Sequence, residues 1–85
     1  MLNLNEIRKY LEQKDDVEEA YIRYDFEIWR KGQKYEVSLY DRGPECDPIL
    51  RYCAVIKSPT GKCVTGNTAE NPLLAIDIAH WFELD

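Results

Sequence analysis

The chain has 85 residues, 45% of them apolar and 32% charged, a length and composition that suit one small folded domain spanning residues 1–85 and leave little interior for an enclosed substrate cavity. Its formal net charge of −5 is the wrong sign for a protein whose affinity comes from neutralising phosphates. No apolar run approaches the ~20 residues of a membrane span, and the opening Met1-Leu2-Asn3-Leu4-Asn5-Glu6 lacks the basic start and apolar stretch of a secretory signal, so a cytoplasmic location is the expectation.

A first helix is signalled by Asn3 as N-cap, by Glu6 at the capping-box position and by a Leu2 to Ile7 staple. Leu4, Ile7 and Leu11 share one face, widened by Tyr10, while Arg8, Lys9, Glu12 and Gln13 are expected to point to water. From Ala20 the period changes to two: Ala20, Ile22, Tyr24, Phe26 and Ile28 alternate with Tyr21, Arg23, Asp25, Glu27 and Trp29. Folding this strand back across a two-residue loop at Lys31-Gly32 sets Ile28 against Tyr35, Phe26 against Val37 and Tyr24 against Leu39, so every apolar residue meets an apolar partner.

The connection Asp41 to Pro48 carries two prolines and a glycine, enough to stiffen it, and its charges and Cys46 make it a second place to look for function. A further hairpin is signalled by Ser58-Pro59-Thr60-Gly61, which pairs Ile56 with Val64 and places Cys53, Val55, Cys63 and Thr65 on the opposite face. Asn71-Pro72 opens a last helix, expected to run to the C-terminus and to be the more buried of the two because only Asp77, His80 and Glu83 interrupt its apolar surface. The expected fold is therefore α+β: a helix, a four-stranded antiparallel sheet made of two hairpins and a C-terminal helix, with both helices on one sheet face.

Chemistry is thinly signalled. Cys46, Cys53, Cys63 and His80 are zinc-ligand types, but their intervals contain no short chelating pair, and no disulfide framework is expected from three cysteines without a C-x-x-C spacing. Asp77, His80 and Glu83, three apart, suggest general-base work; a solvated stripe on a buried helix accounts for them as well. The acidic neighbours Glu45 and Asp47 oppose a nucleophilic Cys46. No catalytic residue, metal or cofactor is assigned.

From Tyr35 onward, a strand, the Gly43-Pro44 turn, another strand, Gly61, Gly66 and a helix with Ala75 and Ala79 resemble the layout of a double-stranded RNA-binding domain over about half the chain. The resemblance implies an RNA-contacting role. It departs from the family where Cys46 replaces the turn histidine and Thr68-Ala69-Glu70-Asn71-Pro72 replaces the lysine cluster.

The open sheet face carries Tyr21, Trp29 and Tyr40 among Arg23, Asp25, Glu27, Lys34, Glu36 and Ser38. Rings set among charges of both signs suit a protein contact, whereas stacking of single-stranded bases would want positive surroundings. They also serve an ordinary solvated sheet through cross-strand pairing. The expected function is a non-enzymatic protein-interaction module, binding a protein partner or forming a homodimer through Tyr21, Arg23, Trp29, Tyr40 and Arg42, with no membrane role and nucleic acid disfavoured. The alternatives are an RNA-contacting domain or a small metal- or thiol-dependent enzyme.

Overall fold

A computed structural model describes residues 3–84, so the Leu2 staple lies outside the described residues. In chain order the elements are α1 (Leu4–Glu12), β1 (Ile22–Arg30), β2 (Gln33–Asp41), β3 (Tyr52–Lys57), β4 (Cys63–Thr65) and α2 (Pro72–Asp77), with 3-10 turns at Pro48–Leu50 and Trp81–Leu84. The strands form one antiparallel sheet in the order β1-β2-β3-β4, and α2 packs on it against β3 and β2.

The alternation of β1 and β2 sets their register: Ile28 lies opposite Tyr35, Phe26 opposite Val37 and Tyr24 opposite Leu39. The Lys31-Gly32 loop makes the tight return with both residues at positive φ, 52° and 76°, the signature of a type I′ turn. In the second hairpin Ile56 meets Val64, and Gly61 takes the left-handed position (φ 91°) that a side chain would resist. Beyond β4 the sheet gains one pairing that periodicity does not announce: Tyr52 and Ala69 exchange backbone bonds of 3.0 and 2.9 Å.

The core lies between the inner sheet face and α2, where Tyr35, Val37, Leu39, Ala54, Ile56, Val64, Ala69, Ala75 and Ala79 are buried and Ile28, Tyr52 and Trp81 pack around them. Ile56, with no exposed surface, sits at its centre between Val37 and Val64. Cover reaches Ile28 but stops short of the middle of β1. Phe26 has the expected phase but remains 51% exposed, and Tyr24 is also exposed.

Both helices depart from their sequence reading in detail. The Asn71 side chain caps α2 by accepting from Leu74 N–H, yet the helix ends at Asp77 instead of continuing to the C-terminus. Its early end has a tertiary cause. The backbone N–H of His80 donates to the Thr65 carbonyl on the outer edge of β4, and Gly66 approaches the Ile78 carbonyl so closely that a Cβ there would overlap it. The chain thus exchanges a further helical turn for contact with a strand edge, and the indole Nε1 of Trp81 donates to the Ile76 carbonyl (2.7 Å), satisfying one acceptor of the helix terminus. Leu73, on the far side of α2, stays 73% exposed.

In α1 the Asn3 cap forms as expected. Arg8, however, is among the most buried side chains (5% exposed), while Leu4, Ile7 and Leu11 remain exposed. Its guanidinium donates to Asn5 Oδ1, Glu12 Oε2 and Glu45 Oε2 and lies in space that the missing side chain of Gly43 leaves open. A buried cation is tolerable when it is paired and hydrogen-bonded in this way.

Candidate functional site

The hairpin register that turns Ile28 and Leu39 inward turns Tyr21, Arg23, Asp25, Glu27 and Trp29 outward, together with Lys34, Glu36, Ser38 and Tyr40 of β2. At the end of the sheet nearest α1 these side chains form a connected cluster. Tyr21 meets Tyr40 edge to face with ring centroids 6.1 Å apart; the Arg23 guanidinium lies 5.8 Å from the Tyr40 ring and that of Arg42 lies 5.9 Å from the Tyr21 ring.

Carboxylates complete the cluster. Glu19 accepts from the Tyr21 hydroxyl and from Arg42 (3.3 Å), and the bond to Glu19 raises the phenol's pKa above its ordinary value. Asp25 accepts from the Ser38 hydroxyl (2.7 Å) and from Arg23 (2.9 Å); the hydroxyl first and the guanidinium second hold its carboxyl below the usual range. Of the five residues expected to bind a partner, Tyr21, Arg23, Tyr40 and Arg42 are therefore brought together. Trp29 is not. It lies toward the far end of β1, eight positions along the chain from Tyr21, which immediately precedes that strand, and is 69% exposed opposite Lys34.

Next to the cluster a cleft of about 340 Å³ opens between α1 and the start of β1, with Arg8, Lys9, Glu12, Glu19, Tyr21, Arg42, Glu45 and Cys46 on its walls. Charges of both signs line it and neutralise one another: Glu45 accepts from Asn5 (2.9 Å) and pairs with Lys9 (3.4 Å) and Arg8 (3.0 Å), the Asn5 amide contributing most to holding its carboxyl below the ordinary value. Beneath the cleft, Asp41 receives both arms of Arg51 (2.8 and 3.2 Å) and the backbone N–H of Gly43 (2.8 Å). Burial opposes the charged form of Asp41, but those donors outweigh it and its pKa is lowered.

The chemistry-bearing residues elsewhere do not converge. Cys46, Cys53 and Cys63 are all free thiols; Cys46 bonds to the Gly43 carbonyl and Cys53 to Thr65 on the outer face. Among the described residues no three His, Cys, Asp or Glu side chains are grouped to hold a metal ion. The end of α2 at Asp77 breaks the helical spacing of Asp77, His80 and Glu83; among the described residues His80 pairs with Glu83 (3.4 Å) and lies against the Phe82 ring. No helix among the described residues is long and apolar enough to cross a membrane.

Sequence reasoning missed two features of this region. Helical periodicity puts Arg8 on the solvent side because it contains no trace of the loop that covers it; the one pointer is Gly43 in the loop sequence, which leaves room for a large side chain from another element. The Asp41–Arg51 pair joins the end of β2 to the start of β3, and neither charge stands out from the many others in the chain. No family model, curated protein or solved structure matches the chain.

Proposed function

We propose that this chain is a non-enzymatic protein-interaction module whose contact surface is the outer face of β1 and β2, with Tyr21, Arg23, Tyr40 and Arg42 at one end and Trp29 at the other. The observation that carries the reading is the exposure of Trp29 and Tyr21 on a sheet face made rigid by a fully paired hairpin. Aromatic side chains with few torsions and arginines are the residue types that most often anchor protein interfaces. The carboxylates beside both arginines favour a protein over nucleic acid, because a phosphate would have to displace Asp25 from Arg23 and Glu19 from Arg42. Three free thiols support a reducing, cytoplasmic setting.

A photo-reactive amino acid placed at position 29, and separately at the exposed position 73 on the far side of α2, tests this in cells. Protein adducts, with other proteins or with a second copy, are expected from position 29 and not from position 73. Equal labelling from both positions would refute the reading. So would tight duplex RNA binding by the purified chain with a steep dependence on salt.

A further inference from the structure

The two edges of the sheet are treated differently. The outer edge of β4 is short and is covered by the C-terminal segment, which donates from His80 N–H to the Thr65 carbonyl and is held by Lys62 Nζ on the Glu83 carbonyl (2.6 Å). The outer edge of β1 has no strand beside it among the described residues. It is nine residues long, contains neither proline nor glycine, and pairs with β2 residue for residue without a bulge. Long unbroken edges of this kind are templates for another strand, and folded proteins ordinarily shorten, bend or cover them.

The backbone phase of that edge follows from the hairpin. A two-residue type I′ loop is closed by a pair that exchanges both backbone bonds, here Arg30 with Gln33, and bonded pairs then recur at every second position through Ile28, Phe26, Tyr24 and Ile22. The N–H and C=O groups of Arg23, Asp25, Glu27 and Trp29 consequently point away from β2.

Resting on the interaction reading above, we propose that a second copy of this chain occupies the edge: two β1 strands pair antiparallel about a two-fold axis at Asp25, joining two sheets into one. The side chains and the length of strand paired together select this register. With Asp25 on the axis, Arg23 faces the partner's Glu27 twice, Tyr24 faces the partner's Phe26 twice and Ile22 faces the partner's Ile28 twice, while Tyr21 lies opposite the partner's Trp29. The two Asp25 carboxylates meet at the axis, each already paired with its own Arg23 and Ser38. Moving the axis to Phe26 would set Asp25 against the partner's Glu27 twice, and moving it to Glu27 would set Arg23 against the partner's Lys31. Moving it to Tyr24 would also oppose unlike charges, Arg23 against the partner's Asp25 twice, but would pair only Ile22 to Phe26 of each β1, where the Asp25 axis pairs Ile22 to Ile28; like charges directly opposite are destabilising, which disfavours the Phe26 and Glu27 axes. The Asp25 arrangement also covers Tyr24 and Phe26, which α2 leaves exposed, and is isologous as a two-fold dimer requires.

Sedimentation velocity of the purified full chain over a wide concentration range gives the first test; a reversible dimer is expected. The Arg23→Glu and Glu27→Arg variants should each weaken it by on the order of tenfold, since each creates two like-charge contacts per dimer. The double variant should recover most of the loss because it exchanges the charges and restores both pairs. In a background with all three cysteines changed to Ser, Asp25→Cys should cross-link on mild oxidation, because bonded cross-strand pairs lie about 5.5 Å apart between Cα atoms, within disulfide reach. Glu27→Cys should not, its two thiols lying four positions apart, or about 13 Å. Circular dichroism confirms that each variant is folded. A chain that stays monomeric at every concentration, or a dimer indifferent to the charge exchange, would overturn the inference. Adducts of other proteins from position 29 in the presence of a monomer would overturn self-pairing and leave the interaction reading standing; absence of any protein adduct would remove that reading too.

Discussion

Replacing Asp41 with Ala tests whether the polar network beneath the cleft holds this end of the sheet in place. The substitution removes the partner of both Arg51 arms and the acceptor for the Gly43 N–H. Hydrogen bonds to charged groups contribute roughly 1.5–3 kcal/mol each, and a buried donor left without an acceptor costs about 1–3 kcal/mol. The three bonds share one carboxylate and do not add. Arg51 is 28% exposed and can recover water, whereas Gly43 is buried and cannot. The expected loss is therefore about 3 kcal/mol, equivalent to a fall in Tm of roughly 12–24 °C for a domain of this size. The effect depends on pH. Because the folded-state pKa of Asp41 is lowered, its contribution is whole above the ordinary carboxyl value of about 3.9 and is lost as pH falls through the folded value. Urea unfolding of both proteins at pH 7 and pH 3 should show a smaller gap in acid. A gap under about 1 kcal/mol at neutral pH, or one unchanged in acid, would refute the reasoning.

Ile56→Ala should cost about 2–5 kcal/mol and Ile56→Val about 0.5–1.5 kcal/mol by urea unfolding, because the residue is fully enclosed between Val37, Val64 and α2. Gly43→Ala should destabilise more than Gly32→Ala: both glycines have positive φ, but a Cβ at 32 meets open space whereas one at 43 overlaps the Arg8 guanidinium. Equal thermal shifts for the two glycine variants would mean that Arg8 moves aside freely.

The hairpin registers were legible because alternation constrains pairing at many positions at once. Shifting β1 by one residue would set Phe26 against a charged or polar neighbour, and no single side chain could compensate. The Asn3 and Asn71 caps were legible for a local reason, since each side chain serves an N–H three residues ahead. Where the reading failed, the deciding contact was distant. Arg8 is buried by Gly43 and Glu45, and α2 stops because Thr65 and Gly66 compete for the backbone that follows it. Amphipathicity marks Leu4, Ile7 and Leu11 as a face that gains from cover, but it does not say that this chain supplies the cover. It does not, and the same holds for Phe26.

That shortfall bears on how the outer face works. The fully enclosed core is small, and exposed apolar side chains are concentrated on α1 and β1, away from the ordered contacts of α2. A contact along β1 removes apolar surface from water on the inner side through Tyr24 and Phe26, at about 25 cal/mol per Å², while its outer side meets the partner through charges. Those charges are paired within the chain at exposed positions, Arg23 with Asp25 and Lys34 with Glu27, and exposed pairs of this kind contribute little to stability. Lys34 can therefore release Glu27 at small cost when another strand arrives, while Arg23 keeps Asp25 and turns its remaining donors to the partner. Arg8, itself buried, and Arg51, whose partner Asp41 is buried, have less freedom, because breaking either pair strands a buried charge. The division of labour follows from burial: the enclosed pairs fix the end of the sheet, and the exposed ones remain available to select what lies beside its open edge.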